Sequence, residues 1–243
     1  MFRTVSYAPS DFTRMPWKNG GGQTTELLRR GPREEYVWRL SVADIGVDGP
    51  FSRFVGMHRL ISVIQGNGVR LDLGGHSSEV LAPFQTLNFD GGSEVECELL
   101  NGPVQDINLV YSPTRISPRW EWTEPGQTHD FTTSADTTLL YSPASKTTVT
   151  STRLAPIDLP AGHLLEISNT PKPENFAVQL AASRCLIIAL TTLESQSTPT
   201  HFQPKQGERN APEPHPVSAS RTGPLRNPAK GENTVRTASG PPR

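Results

Sequence analysis

The stretch RLISVIQGNGVRLDL, residues 59–73, joins two β-rich runs through Gly-Asn-Gly at 66–68. Glycine and asparagine adopt the positive φ values that tight hairpin turns require, so this stretch predicts a β-hairpin. In the second run Val69, Leu71 and Leu73 alternate with polar residues, which is typical of a strand with one buried face. The chain is therefore interpreted first as a β protein.

Strand-like runs continue after this hairpin at short intervals, separated by turns that contain glycine, proline or asparagine. They cover residues 84–89, 94–100, 106–112, 119–124, 137–142, 147–155, 163–168, 175–181 and 185–194. Two successive sets of about six short strands predict an all-β chain with two β-barrels or sandwiches in tandem. Helix candidates are few: SDF near residue 10 and TTELLRR at 24–30.

The overall charge is nearly balanced, with 23 Lys and Arg against 24 Asp and Glu. Such a balance gives no reason to expect nucleic acid or an acidic membrane as a partner. No apolar run approaches the ~18 residues needed to cross a bilayer. The N-terminal MFRTVSYAPSDF also lacks the apolar core of a secretory signal. We therefore expect a cytoplasmic protein.

The two cysteines, Cys97 and Cys185, each lie inside an apolar run. Lone cysteines in such runs are more often small buried residues than a disulfide pair or metal ligands. A cytoplasmic setting favours the same interpretation.

The composition changes near residue 196. Residues 196–243 are rich in proline, and their large apolar residues are few and follow no period. Such a segment cannot bury enough apolar area to offset the ~1–2 kcal/mol per residue that ordering its backbone costs. We expect a disordered, solvated tail, with a binding arm as the alternative.

A tryptophan, a lysine and an asparagine stand directly before three glycines in MPWKNGGGQTTE, residues 15–26. Glycine lets the backbone approach a ligand closely, and the lysine and asparagine would add donors suited to a carboxylate or carbonyl oxygen. The alternative is a tight turn that leads into a strand, with the tryptophan packed in the core. The candidate residues are Trp17, Lys18, Asn19, Gly20, Gly21 and Gly22.

The same stretch, PWKNGGGQTTE, resembles the N-terminal signature of the HutD/Ves family. Four further blocks resemble later blocks of that family in the same order: WRLSVADIGVDGPFSRFVG (38–56), LISVIQGNGVRLDL (60–73), FQTLNFDGG (84–92) and LLNGPVQDINLVYSP (99–113). TTLLYSPAS (137–145) and CLIIALTTLE (185–194) fit the weaker second half. Several long blocks in order are more specific than any single one.

The resemblance implies a double-cupin fold, that is, two β-barrels or jelly rolls in tandem. The expected division is an N-terminal barrel with the ligand pocket at 1–113, a C-terminal barrel at 114–195 and the tail at 196–243. The resemblance also implies a non-catalytic protein that modulates bacterial histidine utilisation. Its ligand would be a small acidic metabolite: a formylated or formiminated glutamate, or urocanate.

Many cupins hold a divalent metal through an H-x-H pair, a glutamate and a third histidine. The corresponding region, 57–66, contains His58 and no H-x-H, while His76 and the other histidines are isolated. A metal site needs three or four ligands that converge on one point. We expect neither a metal nor another cofactor.

Without a metal, a small barrel can still bind a ligand in its mouth through a few polar groups. In WRLSV, Arg39 and Ser41 share a face opposite apolar residues, and Arg39 could clamp a carboxylate with two hydrogen bonds. In DINLV, Asp106 and Asn108 alternate in the same way. For both pairs the alternative is an outward, solvated face.

Four more residues complete the predicted binding set: Glu26, Phe51, Arg59 and Phe89. The phenylalanines would furnish apolar walls, although the core is the usual place for them. Arg59 heads a strand, and a surface role is its alternative. Glu26 could orient Lys18, act as a base or simply begin a helix.

Two small-molecule functions stay open at this point, beside a purely structural interaction module that would use the tail as its contact arm. The first is a non-enzymatic protein that binds a small carboxylate metabolite. The second is a metal-free isomerase, lyase or hydrolase with Lys18 or Glu26 as acid or base. The chain has no G-x-S-x-G motif, and neither cysteine has a histidine beside it in sequence. Homodimerisation is left open as well.

Overall fold

The computed structural model describes residues 2–17, 20–75, 77–168, 172–180 and 183–194. These residues form nineteen strands and one turn of 3-10 helix, Pro9–Asp11. The predicted tail, 196–243, lies outside the described residues. No helix of the described part is long and apolar enough to span a membrane.

The first half of the chain contributes eleven strands. They are β1 (Arg3–Tyr7), β2 (Thr13–Pro16), β3 (Gly22–Arg30), β4 (Trp38–Ile45), β5 (Gly49–Pro50), β6 (His58–Gln65), β7 (Val69–Leu73), β8 (Ser77–Leu81), β9 (Thr86–Asp90), β10 (Val95–Leu99) and β11 (Val104–Tyr111).

The second half contributes eight strands. They are β12 (Ile116–Trp122), β13 (Thr128–Thr133), β14 (Thr137–Tyr141), β15 (Thr147–Ser151), β16 (Leu154–Leu159), β17 (Leu164–Ser168), β18 (Glu174–Leu180) and β19 (Leu186–Thr192).

The strands form two barrels, and each barrel is a pair of antiparallel sheets that pack face to face. The first barrel has a six-stranded sheet, β2-β3-β4-β11-β6-β9, and a four-stranded sheet, β5-β10-β7-β8. The second has a five-stranded sheet, β1-β17-β14-β19-β12, and a four-stranded sheet, β13-β18-β15-β16. The two strands predicted at 59–73 are present as β6 and β7, with positive φ at Gly66 and Gly68. The predicted hairpin is wrong, because β6 and β7 belong to different sheets and pair with other strands, so the turn carries the chain from one sheet to the other.

The first strand crosses between the halves. β1 pairs with β17 over five residues, from Arg3 opposite Ser168 to Tyr7 opposite Leu164. Tyr7 fixes this position because its hydroxyl donates to Glu166 Oε2 at 2.8 Å. A domain boundary at residue 113 therefore separates β1 in sequence from the sheet that β1 joins.

Three apolar clusters follow from the alternation of side chains along the strands. One fills part of the first barrel and a second fills the other barrel. The third lies between the six-stranded and five-stranded sheets, where Trp38, Leu40 and Leu109 meet Leu139 and Ile188. The six-stranded sheet therefore has one face on this apolar layer and the other face inside the first barrel.

The helix expected at TTELLRR (24–30) is wrong, because these residues belong to β3. The run pairs with both β2 and β4, so its backbone hydrogen bonds are made between strands. A register shift between Glu26 and Leu28 interrupts the strand alternation and turns Leu27 into the apolar layer. This bulge explains why the local pattern looked helical.

Candidate functional site

A cavity of about 520 Å³ opens on the inner face of the six-stranded sheet. Strands β4, β11 and β6 are neighbours in that sheet. Side chains of all three strands that point to the inner face therefore lie next to one another there. We call it the Arg39 cavity. Its lining is Met15, Pro16, Trp17, Thr24, Arg39, Ser41, Ala43, Ile45, Pro50, Phe51, Ser52, Phe54, Arg59, Asp106, Asn108 and Val110.

Arg59, Asn108 and Asp106 form a buried polar chain along the wall of this cavity. Arg59 Nε donates to Asn108 Oδ1 at 2.7 Å, and Asn108 Nδ2 donates to Asp106 Oδ1. Arg59 Nη2 lies 3.9 Å from Asp106 Oδ2. The three side chains belong to residues that are 7%, 4% and 1% exposed, so they are fixed before any ligand arrives.

Aromatic rings hold both arginines of the cavity. The Arg59 guanidinium carbon lies 4.3 Å from the Phe51 ring centroid and 5.7 Å from that of Phe89. Arg39 lies 5.3 Å from the Tyr36 ring and 5.2 Å from the Phe54 ring. Stacking uses the face of a guanidinium group and leaves its N–H edge for hydrogen bonds. Arg59 uses its N–H edge for Asn108 and Asp106, whereas Arg39 Nε has no hydrogen-bond acceptor among the described residues.

Two buried polar atoms of this lining have no hydrogen-bond partner among the described residues, Arg39 Nε and Asp106 Oδ2. A buried polar atom without a partner costs about 1–3 kcal/mol. Arg39 Nε lacks an acceptor, whereas Asp106 Oδ2 has the Arg59 guanidinium nearby at 3.9 Å but no donor at hydrogen-bond distance. A molecule that carries both an acceptor and a donor would satisfy both atoms.

Burial shifts the two charged groups of the polar chain. It raises the pKa of Asp106 to about 6, although the Arg59 charge and the hydrogen bond from Asn108 act in the opposite direction. Burial also lowers the pKa of Arg59, against the charge of Asp106. With two guanidinium groups against one carboxyl group in its lining, the cavity favours an anionic ligand.

The glycine run lies elsewhere. Gly20, Gly21 and Gly22 line a separate cavity of about 500 Å³, together with Asp44. A Cβ on Gly22 would lie 2.2 Å from the Asp44 carbonyl oxygen and 3.1 Å from the Trp17 ring. Gly22 thus permits the turn in which its carbonyl accepts from the Trp17 N–H at 2.9 Å.

The other predicted residues of this region separate as well. Trp17 does line the Arg39 cavity, and its Nε1 donates to Thr24 Oγ1 at 2.8 Å. Glu26 lies outside that lining and forms an ion pair with Arg29 at 3.1 Å. Lys18 and Asn19 lie outside the described residues.

The predictions for the sheet strands come together in one place. The structure brings Arg39, Ser41, Phe51, Arg59, Asp106 and Asn108 into the lining of the Arg39 cavity. Phe89 stands behind Arg59 rather than in the lining. Sequence reasoning missed Tyr36, which lies in the charged loop before β4, and Thr24, which shares its phase with Glu26 and could have been found from it.

The apolar cluster of the second barrel contains large side chains such as Phe131, Leu165 and Ile187. A cavity of about 740 Å³ on this barrel is lined by polar residues that include Arg119, Asp130 and Asn175. Cys97 and Cys185 are free and buried, which confirms their predicted structural role, and burial raises the pKa of both thiols to about 12. Among the residues that the structure describes, no group of three or more His, Cys, Asp or Glu is arranged to hold a metal ion.

The fold first defines a class of protein, the cupins. The structure matches the formate complex of Lactobacillus farciminis oxalate decarboxylase with a TM-score of 0.54 at 9% identity, over 76% of this chain and 85% of that one. Similarity at this level shows the fold alone, and it confirms the predicted double cupin.

Sequence then defines the family within that class. The HutD family matches residues 9–187, and the chain belongs to it. An uncharacterised 21.2 kDa protein in the hutC 3′ region of Pseudomonas putida is 44% identical over 137 residues, which are 56% of this chain and 71% of the relative. The family is thereby linked to the hut region, as the resemblance implied.

Two further similarities agree. Protein Ves of Escherichia fergusonii is 32% identical over 105 residues, 41% of this chain and 55% of that protein. The match therefore spans only about half of Ves. The structure of HutD from Pseudomonas fluorescens SBW25, described for a formate condition, is 37% identical, with a TM-score of 0.70 over 79% of this chain and all of that one.

Proposed function

We propose that this protein binds a small carboxylate metabolite in the Arg39 cavity, without catalysing a reaction, and so modulates bacterial histidine utilisation. The observation that carries the proposal is the pair of buried atoms without partners, Arg39 Nε and Asp106 Oδ2. A ligand carboxylate would accept from Arg39. An N–H group of the same ligand would donate to Asp106.

Three metabolites of histidine degradation carry both groups. Formylated glutamate has two carboxylates and an amide N–H, and formiminated glutamate has an amidine in place of the amide. Urocanate has one carboxylate and an imidazole N–H. A cavity of about 520 Å³ lies within the usual range of roughly 300–1,000 Å³ for small-molecule sites.

The expected affinity comes from fixed charges in a water-poor place. Hydrogen bonds to a charged group contribute about 1.5–3 kcal/mol each, and a guanidinium can make two to one carboxylate. Because Tyr36 and Phe54 hold the Arg39 guanidinium, little side-chain freedom is lost on binding.

The link to histidine utilisation rests on relatives. The Pseudomonas putida relative is named for the hutC 3′ region, and the Pseudomonas fluorescens structure is of HutD. We carry that association over to this chain as part of the proposal. The choice of the three metabolites as candidate ligands rests on the same association.

The binding test is calorimetric titration of the wild type, Arg39→Met and Arg70→Met with each metabolite. Arg70 is the control, because it is exposed on β7 and pairs with Glu98 away from the cavity. We expect at least one metabolite to bind the wild type and the control alike, and Arg39→Met to weaken binding by about 10–100-fold. The proposal fails if no metabolite binds at millimolar concentration, or if Arg39→Met binds like the wild type.

One observation favours a second function, a metal-free isomerase, lyase or hydrolase. Asp106 is buried, has a pKa of about 6 and presents an oxygen without a donor, which are properties of a general base. Glu26 does not line the cavity. NMR spectra of each metabolite with the protein decide between the two: turnover by the wild type that Asp106→Asn abolishes would establish the enzyme and overturn the non-catalytic proposal.

A further inference from the structure

A further polar cavity, of about 490 Å³, lies on the opposite face of β4 from the Arg39 cavity. We call it the inter-sheet cavity, because it opens between the five-stranded sheet and the end of the six-stranded sheet. On the side of the six-stranded sheet, the lining of the inter-sheet cavity consists of Arg30 of β3, Trp38 of β4 and Val37, which directly precedes β4. Trp38 and Arg39 are neighbours in β4 and point to opposite faces, so the two cavities are separate and can be occupied together.

All five strands of the five-stranded sheet contribute to this cavity at the same end. The register places Arg3 opposite Ser168, Thr137 opposite Ser168 and Leu190, and Ile116 opposite Thr192. The cavity therefore runs across the whole width of the sheet. Its lining includes three residues with hydroxyl groups, Thr137, Ser168 and Thr192.

The two acidic residues of the lining are already engaged. Glu166, which is 6% exposed, accepts from Arg30 Nη2 at 2.7 Å and from the Tyr7 hydroxyl at 2.8 Å. Asp136 Oδ2 accepts from the Thr192 N–H at 2.6 Å. Both carboxylates therefore serve the protein's own contacts.

Two of the three arginines of the lining are not engaged in this way. Arg30 pairs with Glu166, but no carboxylate of the described residues forms an ion pair with Arg3 or Arg115. Arg3 lies on the edge strand β1, and Arg115 directly precedes the opposite edge strand β12. Four strand spacings separate these edges, or about 19 Å between backbones.

We propose that the inter-sheet cavity is a second binding site, for an elongated small molecule that carries an oxyanion group at each end. Arg3 binds one end and Arg115 binds the other, and the hydroxyl groups between them contact the polar middle of the ligand. Phosphate and carboxylate groups both match guanidinium geometry, so the shared chemistry is that of a two-ended anion.

The test isolates this site from the Arg39 cavity. Titrations use Arg39→Met protein as the background, with three probes: fructose 1,6-bisphosphate, suberate and inorganic phosphate. Arg3→Gln and Arg115→Gln are made in that background, and Arg14→Gln is the control because Arg14 is an exposed arginine of β2 away from this cavity. Unliganded melting temperatures show whether the variants fold.

We expect a two-ended probe to bind, each of Arg3→Gln and Arg115→Gln to weaken it about tenfold, and Arg14→Gln to leave it unchanged. Inorganic phosphate binds more weakly, because it reaches one arginine only. Preference for the bisphosphate or for suberate assigns phosphate or carboxylate ends. The proposal is overturned if neither fructose 1,6-bisphosphate nor suberate binds, or if Arg3→Gln and Arg115→Gln bind the probe as tightly as the background protein. It is also overturned if inorganic phosphate binds as tightly as the two-ended probes.

Discussion

Replacing Asp106 with asparagine removes a carboxyl group whose pKa burial raises from 3.8 to about 6. Because this pKa is higher in the folded state than in the unfolded state, the native protein holds the proton more tightly. The contribution of Asp106 to the free energy of unfolding is therefore full below pH 4 and is lost as the pH rises through about 6. A shift of about two pKa units corresponds to about 3 kcal/mol.

The assay is urea unfolding of the wild type and Asp106→Asn between pH 4 and pH 8. The difference in unfolding free energy, wild type minus variant, cancels the other titrating groups. We expect this difference to fall by about 2 kcal/mol between pH 4 and pH 7, because part of the effect lies below pH 4.

Asp158→Asn provides the matched control. Asp158 is exposed, and hydrogen bonds from Lys146 and Thr148 lower its pKa, so its difference should rise with pH. A difference for Asp106→Asn that is flat or rises with pH would show that the Arg59 charge outweighs burial, and would refute the reasoning.

Three further substitutions test the packing. Arg39→Met removes a buried Nε without an acceptor, so the unliganded melting temperature should stay equal or rise; a fall of several degrees would show that the guanidinium holds the fold. Gly22→Ala places a Cβ 2.2 Å from a backbone oxygen and should cost about 1–3 kcal/mol in urea unfolding, whereas Gly46→Ala, with 3.4 Å to its nearest atom, should cost less; equal losses would disprove the crowding. Tyr7→Phe removes the donor to a buried carboxylate and should cost about 1–3 kcal/mol; no loss would mean that β1 is not fixed by this bond.

Much of the fold was visible in the sequence, because alternation and turn residues are local signals. The alternation in residues 69–73 placed Val69, Leu71 and Leu73 on one buried face, and all three pack in the apolar cluster of the first barrel. The exchange of β1 into the second barrel was not visible, since no local signal tells a strand which sheet it joins. The bulge in β3 produced the wrong helix for a similar reason.

The candidate site was visible only in part. Alternation showed that Arg39 shares a face with Ser41, and Asp106 with Asn108, but not whether those faces meet solvent or the inside of a barrel. The order β4-β11-β6 decides that question and brings Arg59 to Asn108. Tyr36 could not be found, because its contact with Arg39 depends on a loop.

The most direct test of ligand binding in the Arg39 cavity is a crystal structure with whichever of formylated glutamate, formiminated glutamate or urocanate binds best. We predict a ligand carboxylate oxygen about 3 Å from Arg39 Nε, and a ligand N–H that donates to Asp106 Oδ2. A ligand bound only outside this cavity, or one that leaves both atoms without partners, would contradict the proposed function.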